Sequence, residues 1–172
     1  MSGAVAVITD ITELKQVEQE LREAKAFTES ILQNVPEVIY STDGDLRLTY
    51  MSPKCEQLYG YTVDEFFHKQ DLFTKLIHPD DQERVIEQLR TVVNGEMAFA
   101  EYRVITKDGR TLWVRESAIP TLDERGHLKR IDASVYDITE LKQAEKALAE
   151  ERNLLRTLID NMPDVVYVKD LT

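Results

Sequence analysis

Two segments of the chain repeat each other at a fixed distance. Residues 10–43 and residues 137–170 align without a gap at an offset of 127, and 15 of the 34 paired positions are identical. A unit that recurs at fixed spacing indicates a tandem array. The two copies here bracket one complete globular unit. We therefore expect the end of a preceding unit over residues 1–10, connector helices over 11–34 and 138–161, one complete domain over 35–137, and the start of the next unit over 162–172.

Composition and charge exclude several functional classes. The formal charge is −11 over 172 residues, which argues against the concentrated basic surface that direct nucleic-acid binding needs. No stretch approaches the roughly 18–20 apolar residues of a membrane span, and the first nine residues lack the features of a signal peptide. The single cysteine, Cys55, excludes an internal disulfide and fits a reducing compartment. We expect a cytoplasmic chain without direct membrane contact, whose parent protein could still be anchored elsewhere.

The two connectors carry an apolar stripe at alternating spacings of three and four residues, which is typical of a coiled-coil seam. Ala24, Thr28, Ala144 and Glu151 interrupt the stripe, so the seam is weak. A parallel helix pair in a homodimer is the favoured interpretation, and a single amphipathic helix lying on its own domain is the alternative. The seam residues are Leu14, Val17, Leu21 and Ile31 in the first connector, and Leu141, Leu148, Leu155 and Leu158 in the second.

Between the connectors the pattern predicts an α+β domain. Two strands are expected first, then short helices and one longer helix, and then three strands joined by tight turns at Lys107–Arg110 and Asp123–Gly126. This order favours one five-stranded antiparallel sheet with helices on one face. The predicted strands span 38–43, 46–51, 98–106, 110–119 and 128–136, and the long helix spans 79–93.

Five segments are specific when taken together: NVPEVIYSTDGD, YMSPKCEQLYGYTVDEF, LIHPDD, EYRVITKDGRTLWVRESAIP and DERGHLKRIDASVYDITELK. Their order and motifs resemble the PAS domain, in the subclass that ends in a PAC segment. The resemblance implies a sensory or dimerising module of a multi-domain signalling protein, typically a bacterial sensor histidine kinase of a two-component system or a diguanylate cyclase. Such domains have no catalysis of their own. The implied partners are a second copy, adjacent PAS units and an output domain.

The resemblance places a small ligand between the sheet and the long helix, but the residues do not identify it. No cysteine lies in the flavin-adduct motif of light-sensing members, and the long helix holds no histidine that could bind heme. Cys55 is expected to be a core residue and His78 to cap the long helix, while His68 and His127 are expected in solvent. No pair of histidines has metal-ligand spacing. The cofactor is left open as a small metabolite or none.

The candidate pocket residues are apolar and aromatic side chains of the predicted strands and helices. Among them Tyr50 and Tyr102 are expected to offer a hydroxyl to a ligand. Strand alternation puts Trp113 opposite Val114, and Trp113 with Tyr136 could instead lie on the outer face of the sheet. The candidates are Ile39, Tyr50, Leu58, Phe66, Phe73, Leu76, Val85, Leu89, Tyr102, Val104 and Val114.

The triad Asp137, Ile138 and Thr139 stands where the last strand becomes the second connector. In the resembled family its acid is commonly tied to the sheet, so that strand movement reaches the helix. Arg103 and Arg115 are the candidate partners of Asp137 here. A plain helix cap is the other interpretation of Asp137, and the two are compatible.

Two further functional classes remain open. One is a dimerisation and spacing module with a filled core and no ligand. The other is a small-pocket enzyme, which would require a pocket carboxylate or histidine with a shifted pKa. It is disfavoured because the acidic residues are expected at caps and turns.

Overall fold

The computed structural model describes residues 12–69 and 71–161. Five strands form one antiparallel sheet in the order β2-β1-β5-β4-β3, which confirms the predicted α+β class. The strands are β1 (Val38–Asp43), β2 (Leu48–Met51), β3 (Ala98–Ile105), β4 (Thr111–Leu122) and β5 (Leu128–Asp137). The helices are α1 (Thr12–Asn34), α2 (Lys54–Tyr59), α3 (Val63–His68), α4 (Leu72–Leu76), α5 (Gln82–Val93) and α6 (Thr139–Asp160), with a 3₁₀ turn at Pro79–Asp81. The units predicted at 1–10 and 162–172 lie outside the described residues.

The turn between β1 and β2 is built by one side chain. The Asp43 carboxylate accepts hydrogen bonds from the backbone N–H groups of Asp45 and Arg47, at 3.0 and 2.9 Å. Because this loop extends to Arg47, β2 begins at Leu48 and is shorter than the predicted strand over 46–51. A Cβ atom at Gly44 would lie 2.3 Å from the Leu128 carbonyl oxygen, so only glycine fits where the turn crosses β5.

A register shift in the β1–β2 pair decides which residues face inward. Tyr50 pairs with Ser41, but Leu48 pairs with Thr42, because the register shifts between Ser41 and Thr42. The irregularity breaks simple alternation along β2. Leu48 and Met51 consequently share the inner face, and Tyr50 turns to the outer one.

The core lies between the inner face of the sheet and the short helices. Its centre holds Val38, Val114 and Val135, all with no accessible surface. A second, smaller cluster forms where Val92 of α5 meets Ala118, Ile131 and Ala133 of the sheet. Val38 pairs with Val135 of β5, and Val114 and Ala118 are four residues apart on β4, so strand alternation places the members of each pair on one face.

The two long helices, α1 and α6, leave most of their described surface in solvent. Every residue from 143 to 161 is exposed, and so is every residue of α1 from 15 to 25. Neither described helix surface therefore packs along its own domain. Within the described residues, no helix is both long and apolar enough to cross a membrane.

Candidate functional site

A cavity of about 710 Å³ lies between the sheet and α5. Its walls come from α2, α3, α4 and α5 on one side and from all five strands on the other. Val85, Ile86 and Leu89 of α5 border it, and Leu89 remains 40% exposed. The apolar face of α5 therefore borders the cavity at Val85, Ile86 and Leu89 and packs on the sheet at Val92. A cavity of this volume falls in the range of small-molecule sites.

One acidic side chain points into this apolar space. Glu116 lies in the middle of β4 on the same face as Val114 and Ala118, and the surface it retains borders the cavity. The hydroxyl of Tyr40 donates to one carboxylate oxygen of Glu116, and the hydroxyl of Tyr102 donates to the other at 2.9 Å. Burial raises the pKa of Glu116 above its ordinary value, against the lowering effect of the two hydroxyl donors.

The tyrosines are fixed as neutral donors. Burial, and after it the nearby Glu116 charge, raises the pKa of both Tyr40 and Tyr102 well above the ordinary value. Tyr40 also packs on Phe73, with ring centroids 4.9 Å apart. The hydroxyls consequently stay protonated and remain directed at Glu116.

Two further polar atoms in the wall have no hydrogen-bond partner among the residues that the structure describes. They are the Oγ1 atom of Thr42 and the Oε1 atom of Gln88, and both are buried. Gln88 uses its amide nitrogen to donate to the Phe99 carbonyl oxygen at 3.0 Å, which fixes the side chain while leaving the oxygen unpaired. Unpaired buried acceptors are uncommon and destabilising, so they mark a place where a partner is missing.

The mouth of the cavity lies between the β1–β2 turn and α5. Leu46 there has a φ of 62°, a conformation that non-glycine residues seldom adopt. Arg47 borders the mouth and pairs with Asp45 at 3.1 Å. Leu46 and Ile86 are both more than 40% exposed, so the rim is largely apolar.

The first turn of α5 is tied to β3 by a dense ion pair. The Asp81 carboxylate accepts from the Arg103 backbone N–H at 2.8 Å and from its guanidinium at 2.8 and 3.0 Å. These bonds hold the pKa of Asp81 at about 2. The guanidinium also lies 5.7 Å from the ring centroid of Trp113 on the outer face. The pair thus joins the cavity wall to the far side of the sheet.

The structure separates the predicted pocket residues into two groups. Ile39 and Tyr50 are corrections, since alternation in β1 and the register shift in β2 put them on the outer face. Leu58 and Val114 belong to the adjoining core without bordering the cavity. The predicted residues that do border it are Phe66, Phe73, Leu76, Val85, Leu89, Tyr102 and Val104.

Sequence reasoning missed the most distinctive wall residues, Tyr40 and Glu116. The expectation that acidic residues cluster at caps and turns is wrong for Glu116, which stands in mid-strand. The signal was available, because Glu116 is two residues from Val114 and therefore shares its face. Tyr40 likewise stands two residues from Val38.

The junction between β5 and α6 is bonded to β4 through its backbone. Ile138 is buried, and its N–H donates to the Trp113 carbonyl oxygen at 2.8 Å. The Trp113 N–H donates to the Thr139 hydroxyl at 2.9 Å. The Asp137 carboxylate accepts from the Thr139 N–H at 2.7 Å, but it stands one residue before the N-cap of α6, which is Ile138.

The predicted partners of Asp137 are engaged elsewhere, which corrects the proposed pairing. Arg103 binds Asp81, and Arg115 binds Glu101 with its Nε atom at 2.7 Å. In the described part of the chain neither arginine forms an ion pair with Asp137. Both arginines face outward, whereas Asp137 turns toward the start of α6.

A different ion pair joins the sheet to α6. Lys142 binds Glu101 of β3 at 2.7 Å, and Glu101 also holds Arg115 of β4. Arg115 in turn donates to the Tyr136 hydroxyl of β5 at 3.1 Å. Lys142 lies 5.6 Å from the Trp113 ring centroid as well. One outer-face network therefore connects three strands to the first turn of α6.

The family follows from comparison with known proteins. The family model described as the PAS fold matches residues 48–135, a little over half of the chain. The chain belongs to the PAS family. It is 33% identical over 101 residues to the sensor protein FixL of Bradyrhizobium diazoefficiens, covering 58% of this chain and 20% of that protein. It is 31% identical over 101 residues to a methyl sulfide methyltransferase-associated sensor of Methanosarcina acetivorans, covering 58% and 10%.

Solved structures agree with this PAS assignment. A sensory box histidine kinase/response regulator structure from Burkholderia thailandensis superimposes with a TM-score of 0.62 at 24% identity, covering 76% of this chain and 98% of that one. At this identity the likeness shows the fold. The chain spans a fifth or less of the length of the curated relatives named here. PAS domains of this kind are sensory modules of signalling proteins.

The cysteine and the histidines of this PAS domain lie in surroundings that suit structural roles. Cys55 is buried, its thiol lies 3.6 Å from the Tyr61 carbonyl oxygen, and burial raises its pKa to about 11. A protonated thiol is a poor nucleophile. The His78 Nδ1 atom accepts from the Asp80 N–H at 3.3 Å. His68 and His127 are exposed, and no group of three potential metal ligands occurs among the described residues.

Proposed function

We propose that this PAS domain senses a small molecule held in the cavity between the sheet and α5. The proposal rests on the position of Glu116. Its carboxyl is directed into an otherwise apolar space and accepts hydrogen bonds from the Tyr40 and Tyr102 hydroxyls. A filled core, the other expectation, is disfavoured by about 710 Å³ of space. An apolar cavity with a few convergent polar groups is the usual form of a ligand site.

Binding is favoured over catalysis by the placement of these groups. Both oxygens of Glu116 already accept a hydroxyl, and the two tyrosines are held neutral. General acid–base chemistry would need a group free to exchange a proton with a substrate. The arrangement is suited to orienting a ligand, and any kinase or cyclase activity belongs to other parts of the parent protein.

The proposed output path runs through the outer face of β4. Glu116 and Arg115 are neighbours on that strand with side chains on opposite faces. A ligand that moves β4 acts on the backbone bonds from Trp113 to Ile138 and Thr139, and on the Glu101–Lys142 pair. The rotation or tilt of α6 is then the signal passed to the next unit.

A second copy of the chain is the proposed occupant of the exposed helix stripe. Leu148 and Leu155 are 67% and 54% exposed, and Val17 and Leu21 of α1 are also more than half exposed. The spacing matches a coiled-coil seam. The side chains of Leu14 and Ile31 lie outside the described part of the chain, while Leu141 and Leu158 are exposed.

Ligand binding is tested by native and then denaturing mass spectrometry on one sample, with an absorption spectrum of the same material. A stoichiometric added mass that is lost on denaturation supports the sensor. A protein without added mass, whose thermal midpoint no compound in a metabolite library raises, contradicts it.

Dimerisation is tested separately by light scattering after size-exclusion chromatography. Leu148→Gln together with Leu155→Gln is expected to shift the protein from dimer to monomer. Leu154→Gln is the matched control, because Leu154 is 60% exposed on the same helix but lies outside the seam. A monomeric parent chain, or equal dissociation by the control, contradicts the pairing.

A further inference from the structure

The carboxyl of Glu116 lacks a balancing charge. In the described residues its contacts are the hydroxyls of Tyr40 and Tyr102, and no lysine, arginine or histidine forms an ion pair with it. The cation that borders the cavity, Arg47, lies at the mouth and is paired with Asp45. An ionised carboxylate in an apolar site is unfavourable without a cationic or strongly donating partner.

The polar groups of the wall offer lone pairs more than protons. The hydroxyl groups of Tyr40 and Tyr102 donate their hydrogen bonds to Glu116, and each carboxylate oxygen keeps a second acceptor position. Within the described residues, the Gln88 side-chain oxygen is an acceptor without a partner, and the Thr42 hydroxyl has no partner either. A ligand that donates several hydrogen bonds therefore satisfies this wall, whereas a ligand rich in acceptors leaves it unsatisfied.

The rest of the cavity suits an apolar or aromatic body. Phe66 and Phe73 pack with ring centroids 5.2 Å apart, and Leu76 and Val104 extend the same wall. Aromatic faces also attract cations. The complementary molecule thus carries positive charge at one end and apolar surface over the remainder.

We propose that the cavity takes a small organic cation, in which a protonated amine, amidine or guanidine binds Glu116 and an aromatic or aliphatic body fills the apolar part. The inference rests on the proposed function and gives its ligand a chemical class. An anionic ligand would place a second acidic group beside Glu116 without a cation, and a neutral ligand would leave an ionised Glu116 without a partner charge.

The test compares compounds that share an aromatic group and differ in the charge of the head group. Each of three aromatic groups (phenyl, indolyl and naphthyl) carries a 2-aminoethyl, a 2-hydroxyethyl or a 2-carboxyethyl chain, which gives an amine, an alcohol and a propionate. Binding is measured by calorimetry. At least one amine is expected to bind about tenfold tighter than its alcohol, the value of one well-placed charge pair. Its propionate is expected to bind weakest.

Glu116→Gln is the decisive variant, because it keeps the shape and the acceptor oxygen and removes the charge. It should weaken amine binding about tenfold and change alcohol binding less than about threefold. The titratable groups facing Glu116 are Tyr40, Tyr59 and Tyr102, all held neutral by raised pKa values. Amine affinity should therefore rise from mildly acidic to neutral pH in the wild type and stay level in Glu116→Gln.

A cavity-filling variant distinguishes failure of the cationic-ligand inference from failure of the proposed ligand-sensing function. Ala118→Phe is designed to fill the cavity and should abolish binding of every compound, with a preserved thermal transition showing that the domain folds. If alcohols or propionates bind as well as amines and lose binding in Ala118→Phe, the pocket stands and the cationic class is overturned. If no compound binds and the purified protein carries no added mass, both are overturned.

Discussion

The two faces of β4 carry opposite electrostatic arrangements on one strand. On the inner face, Glu116 stands among apolar side chains with hydroxyl partners and without an ion pair in the described residues. On the outer face, one residue away, Arg115 is paired with Glu101, which is paired in turn with Lys142. The difference teaches that the carboxyl without an ion pair in the described residues faces the cavity, and that the balanced network faces α6.

The charged groups on the two faces also contribute differently to the free energy of folding. The outer pairs are partly solvent-exposed, so each contributes little to stability but fixes geometry. The inner carboxyl is costly in the ionised state, and a suitable occupant removes that cost. In the proposed function, strand alternation thus separates the group that contacts the ligand from the groups that bind α6.

The largest effect is expected where the two faces are joined, at Asp81 and Arg103. Asp81→Ala leaves a half-buried guanidinium and a backbone N–H without their acceptor, and should cost about 3 kcal/mol of unfolding free energy. Because the pKa of Asp81 falls from 3.8 to about 2, the difference should be complete above its ordinary pKa and shrink as the pH falls toward 2. Urea denaturation measures it.

The matched control for this pair is Glu87→Ala. Glu87 pairs with Arg90 on the same helix, but both side chains are more than 70% exposed. The expected loss is about 0.5 kcal/mol or less. Equal losses for the two variants would mean that the Asp81–Arg103 pair does not join the faces.

The inner face should tolerate added volume at Ala118. Because Ala118 borders the cavity, Ala118→Leu fills space and is expected to stabilise the ligand-free domain by about 1 kcal/mol. Val114→Ala, on the same face but in the packed core, should cost about 2 kcal/mol. Thermal unfolding of both variants checks the contrast, and destabilisation by Ala118→Leu would show that the space is not available.

The third expected effect depends on pH. Burial raises the pKa of Glu116 above 4.5, so its ionisation destabilises the folded domain as the pH rises through the folded-state value. Glu116→Gln should therefore raise the midpoint of ligand-free protein at neutral pH. The gain should shrink as the pH falls from the raised folded-state value toward 4.5, and be smallest below 4.5. A gain that is equal at both pH values would contradict the raised pKa.

The smallest effect on stability is expected at the outer network. Lys142→Met should cost about 0.5 kcal/mol, since the pair with Glu101 is partly exposed. It should nevertheless change the orientation of α6, measured as the distance between spin labels on α6 and β3. Lys146→Met serves as the control, because Lys146 binds Glu150 within α6 alone. Unchanged distances in Lys142→Met would remove Glu101–Lys142 from the relay.

Much of the fold could be predicted because its signals are local. The turn residues, the capping box at Thr62 and Glu65, and the 3₁₀ start at His78 act within a few positions. Tyr50 was misplaced because a register shift depends on the partner strand. The partners of Arg103 and Arg115 could not be read, since Asp81 and Glu101 reach them only through the folded sheet.

The residues of the candidate site also divide into those with local sequence signals and those whose contacts depend on the folded sheet. Apolar wall residues such as Phe66 and Val104 follow from burial patterns. Glu116 was missed because an acidic residue in a strand is ordinarily assigned to the solvent face. Alternation from Val114 indicates the inner face for Glu116, whereas the convergence of the Tyr40 and Tyr102 hydroxyls, from two other strands, depends on the folded sheet.

The manner in which α5 is held has a mechanical consequence. Asp81 anchors its start to β3, Arg84 and Gln88 donate along its length to the Glu101 and Phe99 carbonyl oxygens of the same strand, and Val92 packs on the sheet at its end. The helix is therefore fastened to one edge of the sheet, while Ile86 and Leu89 border the cavity. A helix fastened along one edge can turn about that edge without losing these bonds, so the width of the cavity can change on the opposite side while the β3 edge keeps its shape.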